Sequence, residues 1–258
     1  MVWAALATVG FLVLAVVARR WVARRGPRAA AVAAACACAF ACGSYGAARA
    51  YANIRGTPEP QPPRELGPGV VYERRVDPSA PRVEHWVKVD LGRGDLEVVF
   101  SRGDDGDLPL VGATTSEFAV DEGAIVATNG GFFEPWEPGL IDPYPKRGER
   151  VAPVGIGASD GRVFGEADPR VRTLFVAGDG SLGFERPEKI VAAMSGGCML
   201  VERGRPRSSG GCELMKVNDK PQPRTALGLS ADRQTLWLLV VDGRQARYSA
   251  GATLDELS

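Results

Sequence analysis

Two uncharged stretches open the chain, and short apolar runs separated by turn residues fill the rest. Residues 1–18 carry no ionisable side chain, Arg19, Arg20, Arg24, Arg25 and Arg28 follow, and a second uncharged run occupies 29–48. Each run is close to the roughly 20 residues that cross a bilayer, and the first can draw in Trp21 and Val22 if its arginines snorkel. The pattern predicts two transmembrane helices over residues 1–50, joined by a basic turn. Short arginine-rich loops stay in the cytoplasm, so Met1 and the large C-terminal region should both lie outside it. The second run is mostly alanine, which leaves other readings open. Residues 24–50 also fit a signal peptide with Ala48-Arg49-Ala50 as its cleavage site, and Ala39-Phe40-Ala41-Cys42 loosely matches a lipoprotein processing site without the usual leucine. A soluble hydrophobic bundle is the remaining alternative.

Between 57 and 69 stand Pro58, Pro60, Pro62, Pro63 and Pro68. Such a composition favours extended polyproline, and it predicts a linker over 51–69 that spaces a domain of residues 70–258 from the membrane. Within that domain, β-type runs recur at 83–91, 96–101, 124–128, 154–158, 172–177 and 190–194. The runs 225–229 and 235–241 flank the polar turn Ser230-Ala231-Asp232-Arg233-Gln234, which reads as a hairpin. Helical periodicity is confined to 114–120 and the last few residues, where Thr253-Leu254-Asp255-Glu256 reads as a capping box. The expected class is therefore α+β: a strand-rich mixed-sheet domain with few short helices, preceded by two transmembrane helices.

Composition narrows the function mainly by exclusion. Lys plus Arg and Asp plus Glu both number 31, and the basic residues are interleaved with acidic ones, so nothing suggests a nucleic-acid partner. Cys36, Cys38 and Cys42 fall in the second apolar run. Cys198 and Cys212 bracket a Gly-, Arg- and Ser-rich loop and could staple it in an oxidising compartment, with two free thiols as the alternative. The single histidine, His85, lies in the alternating run 83–89, where a structural role is the expected one. No His or Cys spacing supports zinc, and Ser195-Gly196-Gly197 lacks the G-x-S-x-G elbow of serine hydrolases.

The motifs richest in chemistry are Asn129-Gly130-Gly131-Phe132-Phe133 behind the apolar run 124–128, Ser195-Gly196-Gly197-Cys198-Met199-Leu200-Val201, Pro223-Arg224-Thr225-Ala226-Leu227-Gly228, and Val241-Asp242-Gly243-Arg244. Paired glycines let backbone amides approach a ligand, and arginine offers a planar fork of donors suited to phosphate oxygens. Each motif also has a plainer reading. The first is then a tight turn with two core aromatics, Arg224 a surface ion-pair residue, and Asp242-Gly243 a turn.

In this order the four blocks resemble the phosphodiester glycosidase family, some members of which remove N-acetylglucosamine from a phosphate on glycoproteins. The resemblance covers roughly 83 to the C-terminus. Glycosyl phosphodiester hydrolysis needs a held phosphate, a stabilised oxocarbenium-like transition state and a delivered water. The resemblance therefore implies Asp242, Arg224 and Asn129 as catalytic residues. It implies substrate contacts from Gly130, Gly131, Phe132, Gly197, Thr225, Gly243 and Arg244. Glu134, Asp142 and Glu149 are candidates for a second carboxylate, and nothing in the sequence singles one out. No cofactor is expected, although a divalent cation held by carboxylates stays open.

Family members continue beyond the segment matching 251–257 through a helix into a strand ending Asp-Gly-Gly-Gly-Ser, whereas this sequence stops at Ser258. The domain therefore reads as C-terminally incomplete. Two functions are expected from it: a membrane-anchored extracytoplasmic hydrolase of sugar-1-phosphodiesters in envelope or exported glycans, or a non-catalytic protein that binds a glycan or sugar phosphate. In both, the partners are a carbohydrate and, through the N-terminal helices, a membrane.

Overall fold

A computed structural model describes residues 56–137, 144–207 and 219–258, together with 43, 44, 212 and 214. Apart from Gly43 and Ser44, the expected transmembrane pair lies outside the described residues. No helix among those described is long and apolar enough to cross a membrane. In chain order the elements are β1 (Gln61–Gly67), β2 (Val70–Asp77), β3 (Arg82–Asp90), β4 (Leu110–Val111), α1 (Thr115–Asp121), β5 (Phe133–Glu134), β6 (Arg150–Pro153) and β7 (Gly157–Ser159). They continue with β8 (Arg162–Phe164), β9 (Thr173–Ala177), β10 (Leu182–Gly183), β11 (Ile190–Ser195), β12 (Val201–Glu202), β13 (Arg205–Pro206), β14 (Arg224–Leu229) and β15 (Thr235–Val241). The domain is strand-rich with few short helices, and every strand pairing among the described residues is antiparallel.

Two five-stranded sheets dominate, with strand orders β1-β2-β3-β15-β14 and β10-β9-β11-β7-β8. Their facing sides share one core. Val70, Val87, Val89 and Leu236 from the first sheet pack with Leu174, Val176, Leu182 and Ala192 from the second. Successive strand side chains point to opposite faces. Leu236 and Leu238 accordingly enter this core, while Leu239 and Val241 turn to the other face and pack with Ala252 and Leu257 of the C-terminal segment. Sheet one thus has a sandwiched face and a second face covered by the chain's last residues.

Most of the expected runs are strands at nearly the expected bounds, and 225–229 with 235–241 form the β14–β15 hairpin in full register from Arg224 opposite Val241 to Leu229 opposite Leu236. Four stretches differ. Residues 61–67, expected in the proline spacer, form β1 on β2. It is an edge strand, where a proline without an N–H does little harm, and its register shifts between Gln61 and Arg64, where Pro62 and Pro63 sit. Residues 96–101 send Leu96, Val98 and Phe100 into the main core, yet no strand among the described residues pairs with them. Residues 124–128 likewise form a loop, not a strand. Only Val126 reaches the core, and Ile125 is half exposed. The expected strand 154–158 is broken at Gly155, whose φ of +94° suits glycine, so β6 ends at Pro153 and β7 starts at Gly157.

Both expected helix starts are present. Thr114 accepts from the Glu117 amide while the Glu117 carboxylate accepts from the Thr114 amide, a closed capping box on α1. At the C-terminus Thr253 Oγ1 accepts from the Glu256 amide (3.2 Å), and Glu256 Oε2 accepts from the Thr253 amide (2.8 Å). A single 3₁₀ turn over Asp255–Leu257 follows, with Leu254 buried beneath it.

Candidate functional site

The site grows from the sandwiched face of sheet one near the start of β14 and the end of β15. Register places Thr225 opposite Val240, Val240 opposite His85, and His85 opposite Arg74, so these four residues share a face. It is the face of Leu236 and Leu238, and alternation carries it on to Asp242 just past β15. Thr225 and His85 are two strands apart, roughly 10 Å. That width suits a sugar or a phosphate.

Asp242 is held firmly by its backbone. Its amide donates to the Val83 carbonyl (3.0 Å), and its own carbonyl accepts from Ser249 Oγ (2.6 Å). Ser249 is fully buried and also accepts from the Val83 amide (3.0 Å). Gly243 packs so closely on Pro223 that a Cβ there would collide with the proline ring and nitrogen, which ties the Asp-Gly turn to the strand bearing Thr225. The Asp242 side chain is about one-third exposed. Its Oδ2 lies 3.1 Å from His85 Nε2, and His85 Nδ1 lies 2.9 Å from the Tyr72 hydroxyl. Among the described residues nothing hydrogen-bonds Asp242 Oδ1.

Asn129 arrives from the loop after α1. Its Oδ1 accepts from Thr225 Oγ1 at 2.6 Å, joining motifs 96 residues apart. Because that acceptor is occupied, the Asn129 amide presents its NH₂ donors outward. The two following glycines are explained by close packing. A Cβ on Gly131 would land on the Ser195 carbonyl oxygen, and one on Gly130 would press on Met194 Sδ. Neither adopts a positive φ. Thus the first two motifs of the sequence lie against each other. Gly197 extends the β9–β11 pairing: its carbonyl accepts from the Arg172 amide (2.9 Å). Cys198, next to it, forms a disulfide with Cys212, with the Cα atoms 5.2 Å apart.

Arg224 and Arg244 lie elsewhere. Arg224 pairs with Val241, one position out of phase with Thr225, so it points to the opposite face of the sheet. There Nε donates to the Ala252 carbonyl (3.0 Å) and an Nη donates to Lys220 (3.3 Å). Partial burial lowers the guanidinium pKa from its ordinary value. Arg244 adopts a left-handed φ of 61°, and its Nε donates to Gln222 Oε1 (2.9 Å). Both arginines thus bind the backbone or side chains of 220–222 and 252. The structure brings Asn129, Thr225 and Asp242 to one face and sets Arg224 behind it.

The aromatics after the glycines are partly on the surface. Phe132 is 39% and Trp136 62% exposed, and Trp136 stands edge-on to Phe133 at 5.6 Å. Among the candidate second carboxylates, Glu149 caps the Lys146 amide in a tight turn, Asp142 lies outside the described residues, and Glu134 lines a shallow groove with Glu166, Asp168 and Arg170. No group of three or more His, Cys, Asp or Glu among the described residues is arranged to hold a metal.

Sequence reasoning gave His85 a structural role and passed over Tyr72. The signal was present for His85, since alternation from Val83, Val87 and Val89 places it on the core-facing side. What no single strand reveals is that β15 lies beside β3 and brings Asp242 to its Nε2.

The family model described as phosphodiester glycosidase matches residues 122–258. The chain belongs to the phosphodiester glycosidase family. The match takes in Asn129, Thr225 and Asp242, whereas β1 to β3 precede it. No curated protein matches the chain.

Proposed function

We propose that this chain is a membrane-anchored, extracytoplasmic hydrolase that cleaves the glycosyl C1–O bond of sugar-1-phosphodiesters in envelope or exported glycans. Family membership supports the reaction class. The observation that carries the site is the contact of Asn129 with Thr225 on the face that also holds Asp242.

The leaving group explains why one well-placed carboxylate is enough to start with. Breaking C1–O releases a phosphate monoester, whose second ionisation lies at about pH 6, so it departs as a stable anion with little need for a proton. The remaining tasks are to hold the phosphate, support positive charge at C1 and deliver water. The outward NH₂ of Asn129 and the amides near Gly130 and Gly131 hold phosphate oxygens. Gly197, Thr225 and Gly243 frame the substrate, and the exposed ring of Phe132 offers a flat apolar surface to a sugar. Asp242 Oδ1 faces the developing charge at C1 and accepts a proton from the attacking water. In this reading Arg224 acts from behind, fixing the start of β14 against the C-terminal segment.

Export is supported by the two uncharged runs around an arginine cluster and by the Cys198–Cys212 disulfide, a bond typical of oxidising compartments. The test is incubation of the purified chain with a methyl sugar-1-phosphodiester. Free sugar and methyl phosphate support the proposal. Binding without turnover would make the chain a glycan-binding protein, and neither would reject both readings.

A further inference from the structure

We propose that His85 is a positioning residue for Asp242, with Tyr72 setting its tautomer, so that strands lying outside the family match complete the reaction centre. The inference rests on the reading of Asp242 as the carboxylate that serves the sugar. It adds two residues to which that reading assigned no part.

The geometry is a diagonal chain across three neighbouring strands of one face. Tyr72 stands on β2, His85 on β3 and Asp242 at the end of β15. Contacts of 2.9 Å and 3.1 Å link them in that order. A neutral imidazole can donate from only one nitrogen. When the Tyr72 hydroxyl donates to Nδ1, the proton must sit on Nε2, which then donates to Asp242 Oδ2. The neighbouring charges do not compete for the ring. Arg74, directly opposite, sends its guanidinium to the Glu59 carbonyl (2.7 and 3.1 Å), and the Arg64 guanidinium stacks over the Tyr72 ring at 5.2 Å. The near-stacked Tyr72 and His85 rings, with planes 24° apart, further limit rotation of the imidazole.

The consequence falls on the free oxygen. A carboxylate at the end of a strand, one-third exposed, is free to rotate about its Cβ–Cγ bond unless one oxygen is pinned. His85 pins Oδ2, and Oδ1 is left as the oxygen with no hydrogen-bond partner among the described residues. A group held in reacting orientation gains rate without gaining affinity. His85 therefore bears on kcat and leaves KM alone.

His85 is the single histidine of the chain, so its ring signals in a ¹⁵N spectrum need no assignment by mutation. At neutral pH the spectrum of the wild-type protein should show the Nε2–H tautomer, and Tyr72→Phe should give a mixture of tautomers. Observation of the Nδ1–H tautomer in the wild type would overturn the inference whether or not the protein is active. With a methyl sugar-1-phosphodiester, His85→Leu should lower kcat on the order of 10- to 100-fold with KM changed less than about twofold. His85→Gln, which still offers a donor near the Nε2 position, should recover most of the loss. Equal kcat in wild type and His85→Leu would also overturn the inference while leaving the proposed activity intact. A wild type inactive on the diester but showing the Nε2–H tautomer would reject the activity and retain the pinning of Asp242. Matching unfolding midpoints for His85→Leu and His85→Gln confirm that the comparison reads positioning.

Discussion

Thr225 Oγ1 donates to Asn129 Oδ1 at 2.6 Å, and this one bond decides which end of the Asn129 amide faces outward. With the oxygen engaged, the NH₂ group is turned toward any ligand on this face, and an NH₂ is the end a phosphate can use. Thr225→Val should free the amide to rotate and weaken binding of a sugar phosphate by about 0.5–1.5 kcal/mol, whereas Thr225→Ser should bind nearly as the wild type does. Asn129→Asp should cost more than Thr225→Val, because it replaces the donors with a negative charge. Isothermal titration with a sugar-1-phosphate checks the ranking.

Gly131 makes a prediction about stability. A Cβ there would land on the Ser195 carbonyl oxygen, whereas a Cβ on Gly196 would meet nothing within 4 Å. Gly131→Ala should therefore force the loop and β11 apart and cost about 1–3 kcal/mol in urea unfolding. Gly196→Ala should stay within about 0.5 kcal/mol of the wild type.

Arg224 separates a structural role from direct phosphate contact. Its guanidinium donates to Ala252 and Lys220 on the face away from Asp242. Arg224→Lys keeps the charge and loses the fork, so it should destabilise the fold by about 1–2 kcal/mol and raise hydrogen exchange around 250–254. Sugar-phosphate affinity should change little once the variant is folded. A large loss of affinity with unchanged stability would put Arg224 at the ligand.

How far this site can be read from sequence depends on which contacts are local. Period-two alternation made 235–241 and 225–229 legible as a hairpin, helical periodicity marked 114–120, and the capping box at Thr253 announced its turn from four residues. The same alternation holds the reason for setting Arg224 apart from Thr225, since adjacent strand residues cannot share a face, though the motif presents them as one block. Other features depend on pairing between distant strands. Residues 124–128 have the composition of a strand but, among the described residues, no strand to pair with. Residues 61–67 have the composition of a spacer, yet β2 offers them an edge. His85 looks like a core-facing residue until β15 brings Asp242 beside it.

Acid should act on the C-terminal turn through Glu256. Hydrogen bonding from the Thr253 amide, aided by the Thr253 side chain and by Arg82 at 3.0 Å, lowers its pKa from the ordinary glutamate value. A carboxylate depressed in the folded state contributes stability that is fully present above the unfolded value and is lost as pH falls through the folded one. The loss should therefore begin near pH 4.5 and continue below it. The side chain is 44% exposed, so screening keeps the effect to about 0.5 kcal/mol. Unfolding midpoints compared between pH 7 and pH 3 should show Glu256→Gln less acid-sensitive than the wild type by that amount.

The central claim is that the face carrying Asn129, Thr225 and Asp242 hydrolyses the sugar side of a glycosyl phosphodiester. It is tested most directly by hydrolysing a methyl sugar-1-phosphodiester in ¹⁸O water with the wild type and Asp242→Asn, and following both rate and label by mass spectrometry. C1–O cleavage predicts ¹⁸O in the released sugar and none in the methyl phosphate, with the rate falling by on the order of 100-fold or more in Asp242→Asn. Label in the phosphate, or an Asp242→Asn variant as fast as the wild type, would contradict it.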